Sequence, residues 1–236
     1  MPNILKSEKL IALIEVTGFV VFALILKRVL DPLIWRFAGP VSLVTVLVIL
    51  TGYMRFRGLS WSDMGLRALP GIKEKLMVIP QAFLVFLAFA AVLAPIFLIS
   101  EALGLTVMTE IPAGVEERWG DIAGSLPHYL LWMGIVWTAA AFGEEMFFRG
   151  FLITRLQTAF KGLPMASVLA VLLPALLFGY GHMYYQGLRG FIVTGAIALA
   201  FGTMFLVFKR NLWPIILLHG IIDSIGMTSR YMGWDT

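Results

Sequence analysis

Six residues in the C-terminal half of the chain have side-chain types and spacings suited to acid–base or metal chemistry. Glu144, Glu145 and Arg149 fall in the run WMGIVWTAAAFGEEMFFRGFL, His182 closes LLFGYGH one turn after Phe178, and His219 and Asp223 fall in WPIILLHGIIDSIG. On an α-helix Glu145 and Arg149, four apart, share a face and can neutralise each other. Glu144 sits about 100° round the helix, without a partner in its own turn. Desolvation disfavours the ionised form of such a carboxyl and suits it to general acid–base work. His219 and Asp223 can hydrogen-bond, fix the imidazole tautomer, or present two ligands to one ion. The third histidine, His128, follows Pro127 and reads as interfacial. The chain has no cysteine, which removes thiolate nucleophiles, disulfides, iron–sulfur clusters and Cys-ligated zinc. Any metal must be held by His and carboxylates.

The elements that position these residues follow from composition. Of 236 residues, 60% are hydrophobic and 14% charged, against about 25% charged in soluble domains, and the mean hydropathy is +0.91. The chain therefore reads as an integral membrane protein, not a nucleic-acid binder or a disordered chain. Apolar runs of roughly 17–25 residues can span the hydrocarbon core. Seven such runs occur, at about 10–26, 38–54, 76–99, 129–148, 165–181, 191–208 and 212–227. They lack the alternation of a membrane barrel. The fold class expected is all-α: a polytopic membrane helical bundle of about seven transmembrane helices, with six to eight compatible. The first run follows Lys6 and Lys9 but precedes Lys27-Arg28 instead of a small-residue cleavage site, so it reads as an uncleaved helix.

The net charge of +4 matters through its placement. Arg55, Arg57, Arg67, Lys73 and Lys75 mark the second connection as cytoplasmic, whereas 100–127 carries five acidic residues and Arg118. Arg149, Arg155, Lys161, Lys209 and Arg210 agree, which places the N-terminus in the cytoplasm. Lys27, Arg28 and Arg36 disagree. The segment 59–69 suits either a short interfacial helix or an ordinary loop. A turn is expected at Lys161-Gly162-Leu163-Pro164. Because 163 is the midpoint of 144 and 182, antiparallel helices folding there bring Glu144 and His182 level. Counting about 1.5 Å per residue from Arg155 and Arg210 places Glu144, His182 and His219 roughly 15 Å below the cytoplasmic interface. A charge inside an apolar run costs about 2.5–3.5 kcal/mol on insertion scales, so six polar groups at one depth on several helices point to a site. Gly179, Gly181, Gly187, Gly190, Gly195 and Gly202 permit close helix approach, mostly as ordinary packing.

Three motifs stand in order: Glu144-Glu145-x-x-x-Arg149, Phe178-x-x-x-His182 and His219-x-x-x-Asp223. This trio resembles the signature of the CPBP family of intramembrane proteases, which includes type II CAAX-prenyl endopeptidases and bacterial relatives linked to bacteriocin processing or immunity. The resemblance covers the four C-terminal helices, so that 128–236 forms the core. Residues 1–127 supply N-terminal helices, a cytoplasmic interfacial segment and an acidic extracytoplasmic loop, all in one integrated membrane domain. It implies that Glu144 activates water, that His182 assists or binds a metal, and that Glu145 and Arg149 form a structural ion pair. His219 and Asp223 then belong to a metal site or an oxyanion-stabilising pair, with Phe178 in support. The prenylase branch typically carries Asn where this chain has Asp223. An ionised carboxylate does not donate, which favours metal ligation or orientation of His219 over an oxyanion role. Zinc held by His182 and His219 with Glu144 or Asp223, and a metal-free glutamate mechanism, both remain open. The expected activity is an intramembrane endopeptidase acting on a membrane-associated or prenylated CAAX-like substrate near the cytoplasmic leaflet, in the inner membrane of a prokaryotic cell. Its partners are membrane lipids and that substrate, with no nucleic acid. A non-proteolytic immunity or scaffold protein of the same fold is the alternative. A proton or cation transporter using the same groups comes third, and no duplicated half supports it.

Overall fold

The computed structural model describes residues 2–110 and 112–234, and every regular element among them is helical. Their order is α1 (Pro2–Phe56), α2 (Ile72–Ala102), α3 (Thr106–Thr109), α4 (Ala113–Trp119), α5 (Leu126–Ile135), a π-helix (Val136–Ile153), α6 (Thr154–Ala159), α7 (Ala166–Val207) and α8 (Trp213–Met232). Three helices, Ser7–Phe56, Ile72–Ala102 and Ala166–Val207, are long and apolar enough to cross a membrane. Large apolar side chains such as Leu33, Val48, Phe83 and Leu98 cover their outer faces. Such faces are normal against lipid and abnormal against water.

Two of these long helices are hairpins. A straight helix would hold Glu15 and Tyr53 about 57 Å apart, yet the Tyr53 hydroxyl donates to Glu15 Oε1 at 2.8 Å. The reversal lies at Ile34, whose φ of −142° and ψ of 47° leave the helical region two residues after Pro32, and 34 is the midpoint of 15 and 53. Helix α7 reverses at Gly187 (φ 59°, ψ −155°), a conformation that essentially only glycine adopts. Its two arms then meet at Gly179, where an added Cβ would lie 2.5 Å from the Phe191 carbonyl oxygen. The expected runs 10–26 and 38–54, and 165–181 and 191–208, are therefore the paired arms of α1 and α7.

Of the two readings of 59–69, the loop is the one found: Asp63 accepts from the Ser60 amide and hydroxyl at 2.8 and 2.6 Å. These hydrogen bonds hold the Asp63 carboxyl below the usual carboxylate range. The turns dock on the start of α8, where the Leu212 amide donates to the Gly65 carbonyl and the Trp213 indole to Arg67 O. The fourth apolar run, expected as a regular α-helix, changes at Val136 into 18 residues of π-helix. Such windings are rare and concentrate at functional sites. The expected turn after it is present, with Gly162 and Met165 both at positive φ.

The core lies where the π-helix, α7, α8 and the second arm of α1 meet, around Leu50, Met54, Phe151, Phe201, Phe205 and Ile215. Lipid is as apolar as these side chains, so close packing and polar contacts hold the helices together more than burial from water does. One polar contact is a buried ionic cluster absent from the expectations above. Glu15 accepts from Arg57 Nε at 3.0 Å and from Arg155 Nε at 2.6 Å, and Glu8 lies 2.8 Å from Arg155. It ties both arms of α1 to α6.

Candidate functional site

The π-helix and α8 bring five of the six expected residues to one locus. Arg149 Nη1 donates to Glu145 Oε1 at 3.0 Å, both side chains being buried. The same oxygen accepts from His219 Nδ1 at 2.7 Å. A carboxylate only accepts, so Nδ1 carries a proton. The expected ion pair is thus also a brace for His219. Its Nε2 lies 3.4 Å from Asp223 Oδ2 and 3.9 Å from Glu144 Oε2. Arg149 stands over the faces of Phe178 and Phe201, 4.9 and 5.4 Å from the ring centroids. Phe201, on the second arm of α7, lies 6.0 Å from the His219 ring.

His182 arrives from the first arm of α7. The Phe148 and Phe178 rings meet edge to face at 4.9 Å, their midpoint again being 163, and Glu144 and His182 line the same cavity. His182 Nδ1 lies 2.9 Å from the Phe178 carbonyl. A carbonyl cannot donate, so Nδ1 is the protonated nitrogen and Nε2 of the neutral ring is an acceptor. Phe178 thus supports the site twice, through its carbonyl and its ring. His128 stands apart, with its Nδ1 2.8 Å from the Ser125 hydroxyl.

Glu144, Arg149, His182, His219 and Asp223 line one cavity of about 460 Å³, a size typical of ligand pockets. The Glu144 carboxyl has no hydrogen-bond partner of its own and a side chain 21% exposed, against 0% for Glu145. From this locus the lining runs past Gly39, Trp132, Tyr185 and Met227 to Lys27, Arg118 and Arg230. That end of the bundle carries the acidic segment and the reversals at Ile34 and Gly187. No lining residue comes from the other end, at 56–75, 155–165 or 208–213. The cavity therefore faces away from the basic connections, in contrast to access from their side.

Among the described residues, no three His, Asp or Glu side chains converge in a way that could hold a metal ion. Each of His219 and His182 has its Nδ1 held, by the Glu145 carboxylate or the Phe178 carbonyl, an arrangement that also orients metal-ligating imidazoles; as placed, the two Nε2 atoms and a carboxylate do not gather into a three-ligand set.

Sequence reasoning missed Arg118, Tyr184, Tyr185 and Gln186 in this lining. The charge of Arg118 stood among five acidic residues and read as part of a solvated loop. Only its flanking Trp119 hinted otherwise.

The fold and the polar locus together define an integral membrane protein with carboxylate and imidazole groups converging inside a helical bundle. Residues 126–225 match the family described as type II CAAX prenyl endopeptidase Rce1-like. The resemblance carried by the three motifs therefore holds over this stretch, which contains all three, and the activity of that family is endopeptidase activity. No curated protein and no solved structure matches the chain.

Proposed function

We propose that this protein is an intramembrane endopeptidase that hydrolyses a peptide bond of a membrane-associated or lipidated, CAAX-like substrate with water activated by Glu144. The observation that carries the reading is the difference between two adjacent carboxylates. Glu145 is fully buried and committed to Arg149 and His219, whereas Glu144 faces the cavity with no hydrogen bond. A carboxylate left free beside an imidazole and an open volume is positioned to take a proton from water.

In this reaction water enters between Glu144 and His182, whose Nε2 accepts one of its hydrogen bonds. Glu144 takes a proton as the water oxygen bonds to the scissile carbonyl carbon. His219 Nε2–H donates to the resulting oxyanion, which requires the ring to hold its other N–H on Glu145. Asp223 orients the ring. When the tetrahedral intermediate collapses, the C–N bond breaks and Glu144 returns the proton to the departing amine. The proposed route draws on no metal, with His219 in the electrostatic role that a metal would otherwise fill. The substrate enters from the end that carries the acidic segment. With the basic connections in the cytoplasm, that is the extracytoplasmic end.

A peptide-release assay in detergent with a prenylated CAAX peptide tests the reading. Wild type releases the C-terminal fragment, Glu144→Gln does not, and chelator leaves the rate unchanged. Full activity in Glu144→Gln overturns the assignment of the base, and loss of activity with chelator, restored by zinc, overturns the metal-free route. Cysteine-accessibility labelling near Arg118, set against labelling near Arg67, reports which side the cavity faces.

A further inference from the structure

One buried charge of the cavity takes no part in the proposed hydrolysis. Arg118, on α4, is 7% exposed and lines the cavity at the end away from the basic connections. Its Nη1 donates to the Tyr184 hydroxyl, its Nη2 lies beside Gly39, and its Nε is buried without a partner. No carboxylate among the described residues lies within ion-pair reach of the guanidinium. The other cations of the lining at this end are already paired, Lys27 with Asp31 at 2.9 Å and Arg230 with Glu116 at 3.0 Å. This end of the cavity therefore carries one uncompensated positive charge, and burial makes such a charge costly until an anion meets it.

Depth and wall chemistry select the anion. Aromatic pairs cluster around Arg118: Trp35 with Tyr184 at 6.5 Å, Trp119 with Trp132 at 4.7 Å and Tyr129 with Tyr231 at 4.7 Å. Trp and Tyr collect where the membrane meets water, so Arg118 stands at the level of lipid headgroups. Lys27, whose charge was at odds with the orientation, sits at the same level, 3.5 Å over the Tyr184 ring. From there the cavity wall runs along Val20, Ala23, Leu24 and Leu43 of α1. Leu24 and Tyr184 line the cavity and are also 41% and 39% exposed, so this wall opens on the bilayer. A soluble anion has no use for an apolar wall, whereas a phospholipid offers a chain to the wall and a phosphate to the planar guanidinium fork. We propose that Arg118 binds the phosphate of an anionic phospholipid from the adjoining leaflet, with one acyl chain lying along the first arm of α1. A net charge of minus one balances Arg118, which a zwitterionic lipid does not. The site is separate from the hydrolysis and stands whether or not the protein cleaves peptides.

The test uses the full chain, stripped of lipid in an uncharged detergent and titrated with dioleoylphosphatidylglycerol or dioleoylphosphatidylcholine, with bound lipid counted by native mass spectrometry. The anionic lipid is expected to bind about 10- to 100-fold more tightly than the zwitterionic one, the range of a charge-assisted hydrogen bond. In Arg118→Gln the ratio falls to about one, and Arg118→Lys keeps part of it, a pattern that a merely structural role for Arg118 does not produce. Arg67→Gln, on a basic connection at the other end, leaves the ratio unchanged. Because both lipids meet the same variant, a general loss of folding lowers both and leaves the ratio readable. Equal binding of the two lipids by wild type, or a preference that survives Arg118→Gln, overturns the proposal. A preference lost equally in Arg67→Gln also overturns it and assigns the lipid to the basic surface. Displacement of phosphatidylglycerol by an equal concentration of glycerol phosphate or acetate overturns it in favour of a site for a soluble anion.

Discussion

Glu144 and Glu145 are neighbours in sequence, yet their replacement by Gln has opposite consequences. Glu145→Gln keeps the shape and an acceptor oxygen but removes the charge facing Arg149, which is buried and 3.0 Å away. Removing one member of a buried pair costs about 3–5 kcal/mol because the other charge is left uncompensated. For a chain of this size about 1 kcal/mol moves the midpoint by roughly 2–4 °C, so the expected drop is about 6–20 °C. Glu144 has no hydrogen bond to lose and one face in the cavity. Its substitution therefore leaves the midpoint within about 2 °C, the range of changes that disturb no buried network, while cleavage is abolished. Arg149→Met added to Glu145→Gln removes the orphaned charge and recovers most of the lost stability. Activity stays low, because His219 has lost the carboxylate that held its Nδ1. Thermal unfolding in detergent, scored beside peptide release for all four proteins, checks the set. Equal destabilisation by Glu144→Gln and Glu145→Gln would refute the division of labour between the two carboxylates.

Gly179→Ala places a Cβ 2.5 Å from the Phe191 carbonyl oxygen, whereas Gly181→Ala meets nothing within 4 Å. The first is expected to cost about 1–3 kcal/mol and the second almost nothing, as read from unfolding midpoints. Glu15→Gln leaves Arg57 and Arg155 sharing only Glu8 and is expected to cost about 3 kcal/mol in the same measurement. Asp63→Ala removes two hydrogen bonds to Ser60 and is expected to cost about 1 kcal/mol. The Asp63 carboxyl is held below its unfolded value, so this contribution is fully present above the ordinary carboxylate range and is lost as pH falls through the depressed folded value. The gap between wild type and Asp63→Ala therefore closes in acid, and a gap that widens there would contradict the assignment.

The register of the site was legible before any coordinates. The turn centred on 163 brings Phe148 against Phe178, and Glu144 and His182, which share the same midpoint, line one cavity. The i, i+4 spacings led to the Glu145–Arg149 and His219–Asp223 proximities, the first of which survives the change in winding while the second lies on the regular helix α8. The winding itself was hidden, since the hydrophobic period of an all-apolar run barely distinguishes α from π. That His219 belongs to Glu145 as well as to Asp223 depends on the angle at which α8 crosses the π-helix, which no local spacing encodes. Glu15 escaped notice because its partners lie 42 and 140 residues away. Arg118 escaped because burial of a loop residue depends on how α4 folds back over Tyr184 and Tyr185.

The Glu15 cluster also carries information about the order in which the protein is made. Glu15 enters the membrane with the first arm of α1, long before Arg155 exists. At about 5–20 residues per second, the 140 residues between them take roughly 7–28 s to synthesise. During that interval the carboxylate lacks one of its two guanidinium partners. The second arm of α1 arrives first and brings Arg57 and Tyr53, so the hairpin at Ile34 acts as a temporary chaperone for the carboxylate. Arg155 then joins only when the segment bearing Glu144 and Glu145 has been inserted. The second guanidinium partner of this acid thus arrives only with the segment that follows Glu144 and Glu145 in the chain.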